Sequence, residues 1–307
     1  METHQYTIYR LHFTTPLHIG SQRDDYGLSL QSIASDTMYA AITATLANMG
    51  EGIPEDGDLG CVISGLFPYY SDGTKIEYYF PKPFCTRLSA ESATERKKLK
   101  KQLWLPLAQF EHVLQGKPLS ESFEMPDFIH SQVSERVQVS RDGTEDATPF
   151  YMDRVYFSDQ SGLFFLVEGE TQWIDKALPL LALEGIGTDR NVGNGAFEYQ
   201  QEVLSIAISN EGDHALTLST FIPTDKEQLT QAIDEYTSYE LIRRGGWITT
   251  APYNTFRKNA IYAFAAGSVF CGLRMGDGRL VDLAPQGLVE HPVWRCGKAF
   301  FLPIKLS

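Results

Sequence analysis

The stretch LEGIGTDRNVGNGAF, residues 183–197, gives the clearest structural signal in the sequence. Four glycines and one arginine lie within the eleven residues 185–195. An apolar run with helical spacing (173–183) precedes them, and a strand-like run (197–208) follows. Because glycine accepts positive φ and lets another chain approach the backbone closely, the pattern predicts a helix-to-strand loop. Its exposed amides, beside the guanidinium of Arg190, are suited to a phosphate or a nucleotide backbone.

The glycine spacing differs from that of two common nucleotide-binding loops. A dinucleotide-binding fingerprint follows a strand and opens a helix, whereas here the order is helix, loop, strand, and Arg190 stands at the third glycine position. A Walker loop ends in Gly-Lys-Ser or Gly-Lys-Thr, and this stretch has no such ending. A tight structural turn is the alternative interpretation of the same residues.

Length and composition are those of a folded protein with room for two domains. The 307 residues are 43% hydrophobic and 12% aromatic. The polar start, Met1 to Gln5, lacks the apolar core of a signal peptide, and no apolar run reaches the roughly 18 residues of a membrane span. The four cysteines form no CxxC pair, so neither structural zinc nor a disulfide framework is expected. We expect a cytoplasmic protein without a metal or a cofactor.

The charge of the chain is unevenly distributed. A net charge of −13 argues against a protein that grips nucleic acid through its overall charge. However, residues 241–307 contain nine Lys or Arg and three Asp or Glu, whereas residues 1–240 contain seventeen and thirty-six. This distribution indicates a subunit that touches nucleic acid locally and protein elsewhere, with ordinary surface variation as the alternative.

Hydrophobic periodicity predicts an α+β chain. Strands are expected at 6–13, 76–80, 134–141, 151–157, 162–169 and 197–208. Helices are expected at 35–46, capped by Ser35 or Asp36, at 91–102 and at 173–183. The strands at 134–141 and 151–157 would form a long hairpin with a polar tip. The order of elements suggests a ferredoxin-like βαββαβ domain at 1–209 with an insertion near 82–150, followed by a second strand-rich domain at 210–307.

Four features that occur in order resemble a known family. They are LHIG (17–20), SDT (35–37), the glycine loop with Arg190, and RGGW (244–247) followed by GSVF (267–270). Together they resemble the fourth subunit of the type III-A (Csm) CRISPR effector complex, a member of the RAMP superfamily, over nearly the whole chain. The resemblance implies two ferredoxin-like domains, with a hairpin thumb inserted in the first.

The resemblance also implies a role in antiviral defence as part of a ribonucleoprotein, and not as an enzyme. Such a subunit holds the 5′ repeat-derived tag of the CRISPR RNA and docks the large polymerase/cyclase-bearing subunit onto the neighbouring backbone RAMP subunit, away from any membrane. Family loops often carry a further glycine where Thr188 stands, so backbone access would be narrower here.

The residues that the resemblance assigns to RNA binding fall into four groups. They are the cleft residues His18, Gly20, Ser21 and Arg23; the helix start Ser35, Asp36 and Thr37; the thumb residues Arg136 and Arg141; and the loop residues Gly185, Gly187, Arg190, Asn191, Gly193 and Gly195. We add Arg243, Arg244 and Trp247 from the basic part of the chain.

The chemistry of these residues suits single-stranded RNA. Phosphates and 2′-hydroxyls are bound by backbone amides and arginine, and unstacked bases by aromatic rings. Tyr151, Tyr156 and Trp247 are candidate stacking platforms, each with a core position as the alternative. Arg257 and Lys258 add positive charge, with a solvated or partner-facing surface as the alternative.

Two other functions remain open at this point. One is a RAMP-type metal-independent endoribonuclease that processes CRISPR RNA with His18 as general acid or base. Its second catalytic group is not indicated, since nothing in the spacing of Tyr26 or Lys75 selects either residue. The other is a small-molecule or nucleotide-binding module built around the glycine loop. We assign no catalytic residue and no metal ligand.

Overall fold

The computed structural model describes residues 2–20, 26–138, 146–209 and 212–306. The strands of the N-terminal part are β1 (Glu2–Phe13), β2 (Cys61–Ile63), β3 (Phe67–Ser71), β4 (Ile76–Pro81), β5 (Trp104–Pro106), β6 (Ile129–Gln138), β7 (Thr148–Phe157), β8 (Ser161–Gly169) and β9 (Phe197–Ile208). Those of the C-terminal part are β10 (His214–Thr217), β11 (Leu241–Arg244), β12 (Ile261–Phe264), β13 (Val269–Cys271), β14 (Leu280–Asp282), β15 (Trp294–Cys296) and β16 (Phe301–Ile304).

The helices join these strands into a mixed α/β chain, as the sequence predicts. They are α1 (Ser35–Asn48), α2 (Ala93–Lys101), α3 (Leu107–Leu114), α4 (Gln172–Glu184) and α5 (Lys226–Ala232). None of the helices in the described segments is long and apolar enough to cross a membrane.

The main sheet is antiparallel and has the strand order β5-β4-β3-β8-β1-β9, with β2 also paired to β8. Its central strand β8 is buried on both faces, because Leu163 and Phe165 pack against α1 and α4 while Phe164 and Leu166 join a second core cluster. The sheet therefore lies between two apolar layers. This burial explains why residues 162–167 of β8 form a continuous apolar run and not an alternating one.

Three strands of the main sheet, β2, β3 and β5, are absent from the sequence-based prediction. The position beside β8 is occupied by β3, and the predicted strand at 76–80 (β4) lies one place further out. Pro68 lies inside β3 and pairs with Leu163. Because proline within a run argues against a strand, the sequence pattern concealed this element.

The predicted hairpin is present as a separate two-stranded sheet of β6 and β7, paired from Ile129↔Phe157 to Gln138↔Thr148. It begins earlier than predicted, at Ile129 and not at Ser134. Leu17 and Val155 exchange backbone hydrogen bonds of 2.8 and 2.7 Å, which ties the base of the hairpin to the loop after β1. Arg141 lies outside the described residues.

The start of α1 corrects a prediction. Ala34 occupies the N-cap position, and no side chain caps the helix. Ser35 and Asp36 are instead the first two helical residues, and both are buried. Their side chains bond to the C-terminal part of the chain, which removes them from the capping role.

The C-terminal part is built on a three-stranded sheet with the order β13-β10-β16, one helix (α5) and two hairpins, β11–β12 and β14–β15. Residues 212–306 contain no second α-helix, so a second ferredoxin-like domain stays a prediction. Leu216 and Leu302 share one core cluster with Tyr6 and Ile8 of β1. The two parts of the chain are therefore packed on each other through a common apolar core.

A candidate nucleic-acid interface between two walls

A cleft of about 1060 Å³ separates the glycine loop (residues 185–195) from basic residues of the C-terminal part. It collects residues that the sequence places far apart: the loop after β1, the start of α1, the glycine loop and the segment around β11. Nine of the predicted RNA-binding residues line it, namely His18, Gly20, Thr37, Gly187, Arg190, Asn191, Arg243, Arg244 and Trp247.

The lining of the cleft is positively charged although the chain as a whole is acidic. Six lining residues are Arg or Lys, and two, Glu184 and Asp189, are acidic. Five of the cations form one side, which we call the basic wall: Arg243, Arg244, Arg257, Lys258 and Arg295. Local charge of this sign raises the concentration of an anionic ligand at the cleft even when the net charge is negative.

The glycine loop closes on itself through two of its glycines. The Ile186 amide donates to the Gly195 carbonyl at 3.0 Å, and the Gly195 amide donates to Pro16 at 2.8 Å. A Cβ on Gly195 would lie 1.9 Å from the Ile186 carbonyl oxygen, and one on Gly185 would lie 2.5 Å from that of Asn194. Gly185 and Gly195 therefore serve the internal packing of the loop, which is the structural-turn interpretation for these two positions.

The middle of the same loop keeps four of its backbone amides unused, although the Thr188 amide donates to the His18 carbonyl at 2.9 Å. The amides of Gly187, Asp189, Arg190 and Asn191 have no acceptor among the residues that the structure describes, and neither has the Arg190 guanidinium. These groups belong to residues that line the cleft. They match the sequence-based hypothesis of amides beside one guanidinium. Gly193, at φ +90°, has open space around its Cβ position.

The basic wall is organised by a buried carboxylate. Asp36 is 1% exposed and accepts two hydrogen bonds of 2.8 Å from Arg244, and Arg295 lies 3.2 Å from it. Burial raises the pKa of Asp36, but Arg244 and Arg295 outweigh that effect and hold the pKa below its ordinary value. Thr37 Oγ1 accepts a further bond of 2.7 Å from Arg244.

Of the three residues at the start of α1 that were predicted to bind RNA, two, Ser35 and Asp36, are placed where they cannot reach a ligand. Ser35 Oγ accepts from the Thr220 amide at 2.9 Å, and Thr220 donates to Asp36 at 3.2 Å. Because Ser35 and Asp36 are buried and bonded within the chain, they present no surface to a ligand. Thr37 does line the cleft.

His18 lies at the base of the cleft and is 1% exposed. Its Nδ1 lies 2.6 Å from the Asp153 backbone carbonyl, an acceptor, so Nδ1 carries a proton and donates it. The ring also contacts Tyr26 at 5.8 Å between centroids. Lys75 pairs with Glu77 at 3.0 Å and does not line the cleft.

Only one of the three candidate stacking residues lines the cleft. Trp247 is half-buried, and the Arg257 guanidinium lies over its ring at 4.9 Å. Tyr151 is 63% exposed on the hairpin, and Tyr156 is covered by Arg154 at 5.8 Å. Neither tyrosine is part of the cleft lining.

The remaining predicted residues are dispersed. Arg136 lies outside the lining and pairs with Asp189 at 3.7 Å, which links the hairpin to the glycine loop. Ser21 and Arg23 lie outside the described residues. Arg295 lines the cleft but was not predicted from the sequence, because a single arginine between Trp294 and Cys296 belongs to no recognisable motif.

A group outside the cleft contains possible metal ligands. His214, Asp234 and Cys271 bring their ligand atoms within 4.8 Å of one another. Asp234 already accepts hydrogen bonds from His214 at 2.8 Å and from Thr237 at 2.9 Å. Since its carboxylate is engaged by the surrounding turn, the group has a role in local structure that needs no ion.

Comparisons with known proteins agree with the resemblance seen in the motifs. A family model for the CRISPR Csm4 C-terminal domain matches residues 210–304. A protein of Mycobacterium tuberculosis named "CRISPR system Cms protein Csm4" is 30% identical over 295 residues, which cover 92% of this chain and 94% of that protein. The protein of the same name from Thermococcus onnurineus is 29% identical over 291 residues, covering 89% and 91%.

Solved structures show the same fold. A chain in a crystal structure of a Csm1-Csm4 cassette with cA4 superposes with a TM-score of 0.62 at 21% identity, over 99% of both chains. A chain of a Csm3-Csm4 subcomplex from a type III-A CRISPR-Cas interference complex gives 0.61 at 16% identity, over 97% of this chain and 99% of that one. Together with the sequence relation to the mycobacterial protein, which spans both parts of the chain, these matches establish that the chain belongs to the Csm4 family of CRISPR system proteins.

Proposed function

We propose that this chain is an RNA-binding subunit of a type III-A CRISPR effector complex, and that the cleft holds the 5′ tag of the CRISPR RNA. The observation that carries the proposal is the pairing of two different walls on one cleft. Unused backbone amides and Arg190 form one wall, and five cations with Trp247 form the other. Membership of the Csm4 family supports the assignment to a CRISPR complex.

The chemistry of the two walls complements single-stranded RNA. Amides and arginines bind phosphate oxygens, and an aromatic ring offers stacking worth about 1–3 kcal/mol per base. The open cleft of about 1060 Å³ is larger than most pockets for small ligands, which run to roughly 1,000 Å³. Its size and its polar lining favour a segment of a polymer over a single nucleotide.

We further propose that the chain bridges the large polymerase/cyclase-bearing subunit to the neighbouring backbone subunit. Structures with similar folds are a Csm1-Csm4 cassette and a Csm3-Csm4 subcomplex. Those pairings support two separate protein interfaces on this chain in addition to the RNA cleft.

The same proposal includes the finer architecture. The strand order β9-β1-β8-β3, with α1 and α4 on one face, supports a ferredoxin-like first domain at 1–209. A family model that begins at residue 210 supports a second domain at 210–307. We regard the β6–β7 hairpin as the thumb of the first domain, with Arg136 near the first guide nucleotides.

We propose a binding role without catalysis. The alternative, a metal-independent endoribonuclease with His18 as general acid or base, is favoured by one observation, the contact of His18 with Tyr26 at the cleft. Against it, the Nδ1 proton of His18 is held by a backbone carbonyl and the ring is buried. These contacts are those of a histidine that joins the loop after β1 to the hairpin.

The test is to express the chain with its neighbouring subunits, purify the assembly and sequence the RNA that travels with it. We expect guide RNAs that share one 5′ repeat-derived tag, and the tag should be protected from nuclease digestion. Replacing both Arg190 and Arg243 with alanine should expose the tag while the subunits stay assembled. RNA without a common 5′ end, or a tag protected equally in the variant, would contradict the proposal. Tight binding of a mononucleotide by the isolated chain would favour the nucleotide-binding alternative.

A further inference from the structure

The basic wall contains more positive charge than its buried partner neutralises. Arg244 and Arg295 pair with one carboxylate, Asp36, and Lys258 lies near enough for the same carboxylate to influence its charge. Among the residues described, no other acidic side chain forms an ion pair with any of the three. Three cations therefore face one anion in a half-buried place, where uncompensated charge is costly.

The donors of this group are only partly used. Arg244 directs its Nε and one Nη at Asp36 and Thr37, which leaves its other Nη without a partner in the described segments. Arg295 is 7% exposed; its two Nη atoms donate to the backbone carbonyls of Asp36 and Gly245 at 3.3 Å each, and its buried Nε has no acceptor in these segments. The Lys258 ammonium likewise has none. All three side chains line the cleft; the unbonded Nη of Arg244 and the ammonium of Lys258 are the donors left for a ligand that enters it, and Arg295 adds its positive charge.

We propose that Arg244, Lys258 and Arg295 form a discrete subsite for one backbone phosphate of the bound RNA, with Asp36 as its positioning residue. The inference rests on the proposed RNA-binding function and deepens it by naming where a phosphate lies. Arg244 supplies a free guanidinium N–H group, Lys258 supplies a point charge and Arg295 adds a second guanidinium charge, which together suit a phosphate. Asp36 touches no ligand and acts by fixing Arg244 and Arg295.

The charge state of Lys258 makes the subsite sensitive to pH. Burial, followed by the nearby Arg295 and Arg244, lowers the pKa of Lys258 to about 8, while Asp36 acts in the opposite direction. A bound phosphate favours the charged ammonium, so it raises this pKa. The contribution of Lys258 to RNA affinity is then complete well below pH 8 and declines as the pH rises through 8. Between pH 7 and pH 9 the loss should approach about tenfold, because one proton must be taken up per binding event.

The experiment measures the affinity of the full chain for a synthetic single-stranded RNA that carries the tag, at pH 7 and pH 9. The wild type should weaken by about tenfold, whereas Lys258→Arg should bind equally well at both pH values. Since both proteins meet the same RNA, Lys258→Arg also controls for titration of the bases. Lys258→Met should bind weakly at both pH values and should lower the slope of log K against log salt by about 0.7. Lys97→Met, which removes an exposed charge on α2, is the matched control.

The pH dependence of RNA affinity also tests the positioning role of Asp36. Asp36 supports the charged form of Lys258, so Asp36→Asn should move the midpoint of the affinity profile to lower pH, and not merely reduce affinity. The Lys258 variants, whose side chain lies at the cleft surface, keep the test decisive if Asp36→Asn does not fold.

The possible failures are distinguishable. The subsite is overturned if the wild type binds RNA with the same pH profile as Lys258→Arg and with the same affinity as Lys258→Met. That result would leave the RNA-binding function standing. Absence of RNA binding by the wild type would overturn the proposed function. In that case the subsite is tested with inorganic pyrophosphate, which should raise the thermal midpoint of the wild type and not of Lys258→Met; equal effects on both would overturn the subsite as well.

Discussion

The two walls of the cleft both offer hydrogen-bond donors to an anionic ligand, but they are built in different ways. The glycine loop offers backbone amides, and its shape is set by contacts within eleven consecutive residues and by the adjoining segment 16–18. The basic wall offers side chains, and its shape is set by Asp36, which lies 208 residues before Arg244 in the chain. The glycine loop is shaped within the N-terminal part of the chain, whereas the basic wall exists only when the two parts of the chain pack together.

Because the two walls are held differently, different substitutions should disrupt them. A loop held by close backbone contacts is disrupted when a side chain is added, because the backbone atoms in contact with the new Cβ cannot shift without breaking the loop. A wall held by a buried ion cluster fails when its central charge is removed. The variants below distinguish these two kinds of disruption, in order of decreasing predicted effect.

Asp36→Ala should destabilise the protein most. Removing the carboxylate leaves the buried Arg295 and the half-buried Arg244 without their partner, which costs about 3–5 kcal/mol for a buried pair. Urea unfolding measures the change. Asp58→Ala, which breaks the partly exposed pair of Asp58 and Lys298 at 2.7 Å, is the control and should cost at most about 1 kcal/mol. Equal losses in the two variants would contradict the role given to Asp36.

The stability difference between the wild type and Asp36→Ala should depend on pH. The pKa of Asp36 is lower in the folded protein than its ordinary value, so the folded state binds this proton less readily than the unfolded state does. The stability that Asp36 contributes is therefore present above its unfolded pKa and is lost as the pH falls through and below that value. The free-energy gap between wild type and Asp36→Ala should narrow on acidification from pH 6 to pH 3; a gap that widens would have the wrong sign.

Gly195→Ala and Gly193→Ala form a matched pair in the glycine loop. Both positions have positive φ, of +77° and +90°, but only the Gly195 Cβ would collide with a carbonyl oxygen. Gly193→Ala should cost about 1 kcal/mol for the backbone conformation alone. Gly195→Ala should cost on the order of 3 kcal/mol, because the loop must open. Chemical denaturation measures both, and similar values would show that the loop is not closed as described.

Arg190→Ala should change binding and leave stability nearly unaltered, since the guanidinium has no partner among the described residues. A charge-assisted hydrogen bond contributes about 1.5–3 kcal/mol, which corresponds to a loss of RNA affinity of roughly tenfold or more. Arg274→Ala, at an exposed position outside the cleft, is the control. An affinity equal to that of the control would remove Arg190 from the interface.

His18→Ala should have the smallest effect on chemistry. If the chain only holds RNA, cleavage of target RNA and maturation of guide RNA by the assembled complex should proceed at the wild-type rate. The assay compares complexes of equal RNA content, because loss of the bond to Asp153 can weaken assembly. A complex that retains its RNA but stops cleaving would favour the endoribonuclease alternative.

Local patterns predicted the elements that depend on neighbouring residues. The helix α4, the glycine loop and strand β9 follow in the expected order, and the hairpin is present, although β6 begins at Ile129 and not at Ser134. The strand β3 was missed because Pro68 is tolerated next to Leu163 in a strand of only five residues. Single-residue signals of this kind are overridden when tertiary packing supplies the missing stability.

The sequence predicted two of the segments that line the cleft, but it did not predict the network of charged residues between them. Glycine spacing and the motif at 244–247 indicated two segments, but nothing in the sequence indicated that Asp36 would face Arg244 and Arg295. A carboxylate at a helix start is a common N-cap, and this local interpretation concealed the long-range partner. Arg295 has no sequence signal because its role depends entirely on packing between the two parts.

Site-specific photocrosslinking tests the cleft most directly. A guide RNA with 4-thiouridine at single tag positions would be assembled into the complex, irradiated and mapped by mass spectrometry. We predict crosslinks within residues 187–191 and at Trp247, on both walls. Crosslinks confined to other surfaces, such as the helix α2, with neither wall labelled at any tag position, would contradict the assignment of the tag to this cleft.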